Sequence, residues 1–152
     1  MPTIAIDDPY SEDIRALLGV HIAFNQAMTP ATNYTLGVDA LAHDSVSLFS
    51  YRDHGELLAI GALKQLDEDH GEIKSVHTAE AARGRGIGRA LVEHVIAVSR
   101  KRGYRTLNLE TAPRPAYRPA IALYLRLGFT YCGPFADYPP DNPGSVYMEL
   151  AL

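Results

Sequence analysis

The chain contains no tryptophan and only one cysteine, Cys132, among its 152 residues. A single thiol excludes an intramolecular disulfide framework and any metal site built from several cysteines. The histidines do not make up the shortfall: His43, His54 and His70 fall in expected loops without ligand spacing, so no metal centre is expected. Positive charge is also scarce. Fourteen Lys and Arg stand against eighteen Asp and Glu, a formal net charge of -4, whereas a nucleic-acid binder presents a basic surface to phosphates. No apolar run reaches membrane-spanning length, and the opening "MPTIAIDDPYSEDIR" has neither the basic nor the apolar region of a secretory signal. The expectation is a soluble, cytoplasmic protein with neither nucleic acid nor membrane as a partner. Internal repeats, low-complexity tracts and composition breaks are missing too, so residues 1–152 read as one domain.

The remaining residues carry a clear pattern of periodicity. "TIAI" reads as a short strand, and Ser11 offers an N-cap for a helix over 11–28 in which Ile14, Leu17, Leu18 and Ile22 fall at helical spacing. The loop that follows has room for one short helical turn. Between residues 45 and 79 three strands are expected, joined by turns at Asp53-His54-Gly55 and at 67–71. A helix over 87–102 buries Ile87, Ala90, Leu91, Val95 and Val98. A strand "TLNLETA", a helix over 119–127 ended by Gly128, and a last strand "SVYMEL" complete the chain. Strand hairpins interrupted by one crossover helix make a mixed α/β sheet.

The N-terminus of that crossover helix carries the first chemical signal. "RGRGIG" places Gly84, Gly86 and Gly88 at every second position, a spacing that matches neither the dinucleotide fingerprint nor the nucleotide P-loop. A helix start leaves backbone N–H groups unpaired and slightly positive, and glycines let them approach a bulky anion, with Arg83, Arg85 and Arg89 adding charge. A glycine-rich turn with solvated arginines is the competing account of this stretch.

Two motifs together carry a resemblance. "RGRGIG" is similar to the Q/R-x-x-G-x-G/A pyrophosphate loop of the GNAT superfamily of acyl-CoA-dependent N-acetyltransferases, and "AIALYLRLGF" over 120–129 resembles its A-x-x-L-Y-x-x-x-G-F signature. The spacing between them and the order of elements also match, so the resemblance covers most of the chain. It implies a single-domain α/β fold: a mixed, mostly antiparallel sheet flanked by helices, with central parallel strands that splay apart. It also implies acetyl-CoA as co-substrate. Arg83, Gly84, Arg85, Gly86, Ile87, Gly88 and Arg89 would hold the pyrophosphate, Val76, His77 and Thr78 would run beside the pantetheine, and an amide near Val76 would stabilise the oxyanion. Tyr117 stands where the superfamily often has Asn, which leaves a side-chain contact to the cofactor arm open.

An amine attacks a thioester only as the neutral base, and the departing thiolate gains from a proton donor. Tyr124 occupies the signature tyrosine position, which implies the acid, although it also shares a helical face with Ala120, Ile121 and Leu127 as a core residue would. Glu72 matches the general-base position of the histone-acetylating members, with Lys74 on the same strand face as a pairing partner; Glu110 is the rival base or an ammonium anchor. Strict alternation puts His77 on the face opposite Glu72 and reads it as structural. Cys132 lacks a basic partner and reads as an inert buried thiol, so direct attack is preferred to an acyl-cysteine route. On the acceptor side the resemblance places Tyr34, Arg114, Tyr117 and Arg118, either arginine being suited to a carboxylate. Three readings stand: an N-acetyltransferase of a small primary amine such as an amino acid, a non-catalytic acyl-CoA-binding or sensing module, and a protein-acetylating enzyme. The alternating last strand could extend a sheet or pack across a two-fold axis, giving a homodimer.

Overall fold

In the computed structural model, which describes residues 1–30 and 34–152, the turn chemistry between residues 46 and 78 acts as its composition dictates. His54 and Gly55 both take positive φ, 51° and 81°, and so close β2 (Val46–Asp53) tightly onto β3 (Glu56–Gln65). β4 (His70–Thr78) then returns antiparallel along β3. Gly71 sits where a Cβ would lie 2.9 Å from the Tyr104 ring, so only glycine lets that ring cover the strand. β1 (Pro2–Ile6) pairs with β2. Arg52 of β2 binds Asp7 at 2.9 Å and Asp13 at 2.6 Å, which pins the first turn of α1 (Glu12–Met28) to the sheet. Ser11 precedes α1 as expected but makes no side-chain cap bond.

After the short α2 (Val38–Leu41) and the three-stranded meander, α3 (Ile87–Lys101) carries the chain across the sheet to β5 (Thr106–Thr111), parallel to β4. α4 (Arg118–Arg126), β6 (Thr130–Cys132) and β7 (Val146–Ala151) complete a seven-stranded sheet of order β1-β2-β3-β4-β5-β7-β6. One face buries Leu91, Val92 and Val95 of α3 against Leu63, Ile73, Leu107 and Leu109. The other buries Ile14 and Leu18 of α1 against Leu48, Ile60 and Ala62. The expected elements are all present. The three-residue β6 is additional, too short to show a period. Its presence corrects one expectation: β7 is hydrogen-bonded on both sides, to β5 and β6, so it offers no free edge for sheet extension between copies.

Two irregularities in β4 decide the site. Its pairing with β5 runs only from His70↔Thr106 to Ile73↔Leu109, although β4 continues to Thr78 and β5 to Thr111. The parallel strands therefore splay, as expected. At the same level β4 bulges: Lys74 pairs with Ala62 and His77 with Ile60, so Ser75 and Val76 together face Gly61. The extra residue inverts the alternation beyond it. Ile73 and Val76 both pack toward α3, while Glu72, Lys74 and His77 share the α1 face with their partners Lys64, Ala62 and Ile60. His77 is thus on the same face as Glu72, not the opposite one.

Candidate active site

Where β4 and β5 part, a cleft of about 120 Å³ opens through the sheet. Ile73, Ser75 and Val76 form one wall, Glu110 and Ala112 the other, and Tyr124 reaches it from α4. On the α1 face it adjoins a larger open cavity of about 720 Å³, and Tyr34 and Lys74 line both.

At the end of β4, Gly84 and Gly86 take φ of 78° and 76°, the left-handed region that glycine enters without strain. Gly86 is the N-cap of α3, with no side-chain cap bond and no acid in the first turn. The helix start is therefore left positive and open to an anion. A Cβ on Gly88 would stand 3.3 Å from Thr78 Oγ1, so the loop lies close against the strand end. Arg83 and Arg85 are exposed around it. Arg89 is held by Glu93 at 2.7 Å and commits part of its charge to its own helix.

The two carboxylates have different surroundings. Glu72 is 2% exposed and accepts the Tyr138 hydroxyl at 2.6 Å and Lys74 Nζ at 3.3 Å, while Lys74 also donates to the Tyr138 oxygen at 2.9 Å. Both bonds to Glu72 fall on Oε2. Burial, then the Glu72 charge, drives the Tyr138 hydroxyl far above its ordinary range, so it remains a donor. Among the described residues Glu110 accepts one bond, from Ser145 Oγ at 2.7 Å. Burial pushes its carboxyl up to about 7, against the Ser145 bond and the Lys74 charge. A carboxyl balanced there takes up a proton at neutral pH, as a general base must.

Tyr124 is buried, its ring 5.6 Å from that of Phe129, and burial pushes its hydroxyl up to about 12. That leaves it protonated and able to donate. Tyr117 lines the cleft and donates to Asn25 Oδ1 at 2.7 Å. Asn25 Nδ2 is 3.1 Å from His21 Nε2, and His21 Nδ1 is 3.0 Å from His77 Nδ1. Read as donors in sequence, these contacts put the His21 proton on Nδ1 and the His77 proton on Nε2. Burial, then His77, lowers His21 to about 4, so both rings stay neutral in this chain.

Tyr34 accepts from Asn142 at 3.0 Å and sets its ring 5.1 Å from Tyr138. Arg114 and Arg118 are exposed and do not line the cleft. Burial, then Glu149, raises the Cys132 thiol, contrary to what an acyl carrier needs. Sequence reasoning missed Tyr138, Asn142 and Ser145, which stand in a Pro-rich loop without periodicity, and His21 and Asn25. The latter two lie one helical turn apart on the face of α1 that meets β4, a polar pair on an otherwise apolar stripe and the one signal that could have found them. Among the described residues no group of His, Cys, Asp or Glu could hold a metal ion, and no helix is long and apolar enough to cross a membrane.

Known proteins share this fold. The chain is 38% identical over 150 residues to YsnE, an uncharacterized N-acetyltransferase of Bacillus subtilis (strain 168), covering 98% of this chain and 99% of that one. It is 34% identical over 152 residues to an IAA acetyltransferase of Azospirillum brasilense, covering 99% and 97%. Its fold superimposes with a TM-score of 0.81 on the crystal structure of the putative acyl-CoA N-acyltransferase from Klebsiella pneumoniae, at 32% identity and covering 100% and 98% of the two chains. Residues 14–129 match the Acetyltransferase (GNAT) family, to which this chain therefore belongs.

Proposed function

We propose that the protein transfers the acetyl group of acetyl-CoA to a primary amine of a small molecule by direct attack. The observation that carries this reading is the cleft through the sheet: Glu110 and Tyr124 line one gap, and the uncapped start of α3 lies at the end of the same strand. The donor set fits the co-substrate, because glycines in left-handed conformation bare the amides of residues 84–88 to a pyrophosphate and Arg83 and Arg85 flank them. Val76, His77 and Thr78 would flank the pantetheine, beyond the point where β4 loses its partner. Acetyl-CoA supplies the activated thioester; the protein supplies position and proton traffic.

Glu110 takes the proton that the attacking nitrogen sheds, directly or through water, since among the described residues its carboxyl accepts a single hydrogen bond. Glu72 is engaged by both Lys74 and Tyr138 and serves instead to hold the floor of the acceptor cavity. Tyr124 gives the leaving thiolate its proton. Tyr34 and Tyr117 bound the space for the acceptor. The deciding experiment incubates the protein with acetyl-CoA and a panel of small amines and measures free thiol. Turnover with an amine supports the proposal, whereas tight CoA binding without turnover of any amine assigns a sensing module.

A further inference from the structure

Two unrelated anomalies meet at Ser75. Its φ is 57°, in the left-handed region, inside a strand. Among the described residues the other non-glycine positions with positive φ, His54 and Ala136, belong to turns. A serine there is strained where glycine would not be. Its Oγ is also buried with no hydrogen-bond partner, a state that native structures seldom tolerate. Strain and an orphaned hydroxyl at one residue ask for a function, and the position supplies one. Ser75 lines the cleft beyond the last β4–β5 pair, as do Val76, Glu110 and Tyr124. The bulge lies just beyond the last β4–β5 pair, with Gly61 opposite leaving room for Leu91 of α3.

We infer that Ser75 is a catalytic residue whose hydroxyl is kept without a protein partner so that it can donate a hydrogen bond to the carbonyl oxygen of the transferred acyl group. The inference rests on the acetyl-transfer reading above. As the amine nitrogen attacks, a C–N bond forms and the carbonyl π pair moves onto oxygen. The Ser75 O–H and the neighbouring amide hold that charge, and no proton leaves the serine. The pair then returns, the C–S bond breaks, the amine's extra proton passes to Glu110 and the thiolate takes one from Tyr124. That hydroxyl is shielded from water, and a donor freed of water is worth more to an oxyanion than a solvated one.

The test compares the full chain with Ser75→Ala and Ser75→Gly. Melting temperature, acetyl-CoA affinity by calorimetry, the carbonyl resonance of bound carbonyl-carbon-13 acetyl-CoA, and kcat with an amine found by the screen are all measured. The variants are expected to melt no lower than the parent, because only an unpaired hydroxyl is lost. They should bind acetyl-CoA nearly as well, lose the downfield displacement of the carbonyl resonance, and lose ~10²-fold in kcat. A lower melting temperature with full kcat and an unmoved resonance would make the hydroxyl structural and end the inference. If the parent binds acetyl-CoA but acetylates no amine, acetyl transfer falls, and the resonance alone decides whether Ser75 is a carbonyl donor. If the parent binds no acetyl-CoA, both readings fall together.

Discussion

Tyr138 donates its hydroxyl to Glu72 Oε2 at 2.6 Å across 66 residues of sequence, and Lys74 donates to the same oxygen. Glu110 Oε2 accepts only the neutral Ser145 hydroxyl among the described residues, with no cation bound to it. The two glutamates should therefore respond differently to neutralisation. Glu72→Gln strands the buried Lys74 ammonium and should cost roughly 3–5 kcal/mol of stability, with the acidic limb of the pH–rate profile unmoved. Glu110→Gln should fold well, lose ~10²-fold or more in turnover and abolish that limb. Urea unfolding and pH profiles of both variants check this; a limb that disappears in Glu72→Gln instead would return the base role to Glu72.

Glu110 also makes stability depend on pH. Its carboxyl is raised from 4.5 to about 7 in the folded state, so between those values the unfolded chain ionises first and the native state binds more protons. Stability from this group is intact below pH 4.5 and lost as pH rises through 7, by on the order of 3 kcal/mol. Melting temperatures of the parent should decline from pH 5 to 8 relative to those of Glu110→Gln. Parallel curves for the two proteins would show that Glu110 has an ordinary pKa.

Tyr124→Phe removes one oxygen from a ring packed on Phe129. Acetyl-CoA affinity and melting temperature should hardly change, while the chemical step slows by ~10²-fold. Single-turnover kinetics isolate that step. An unchanged rate would leave Tyr124 as a core residue only.

Gly88→Glu places a carboxylate at the start of α3, where the Cβ already stands 3.3 Å from Thr78 Oγ1. Calorimetry should show acetyl-CoA affinity falling by more than about 100-fold, or ~2.7 kcal/mol, with a native far-UV spectrum. Retained affinity would move the pyrophosphate away from this loop.

Gly71→Ala tests packing alone. The new Cβ would lie 2.9 Å from two carbons of the Tyr104 ring and 3.0 Å from Leu63 Cδ1. Both residues are buried and neither can retreat cheaply. A loss of about 1–3 kcal/mol is expected in denaturant unfolding, with kcat preserved below the transition.

Local signals were strong wherever neighbours in sequence decide the conformation. The period of Ile87, Leu91 and Val95 gives α3 its buried stripe, with Ala90 and Val98 only partly buried, Asp53-His54-Gly55 gives the hairpin, and the two glycine- and tyrosine-bearing motifs mark the loop before α3 and Tyr124. Both candidate bases were also visible as acids on adjacent strands. Their different surroundings were not, because what separates them comes from residues 138 and 145, on a loop that no periodicity describes. His77 shows the same limit: one bulge residue, invisible to an alternation rule, moved it to the α1 face beside His21.

Composition and pattern by themselves determined a single mixed α/β domain, the helix that opens on a glycine ladder, and the pair of motifs that resemble one family. These depend on backbone freedom and on side-chain period, which are properties of short segments. Tertiary structure alone decided how each carboxylate is held, that the Ser75 hydroxyl is buried without a partner, and where the parallel strands part. Those outcomes depend on desolvation and on hydrogen bonds between residues far apart in the chain, such as Glu72 with Tyr138 and Glu110 with Ser145, and such terms exist only once the sheet and its covering loop have closed.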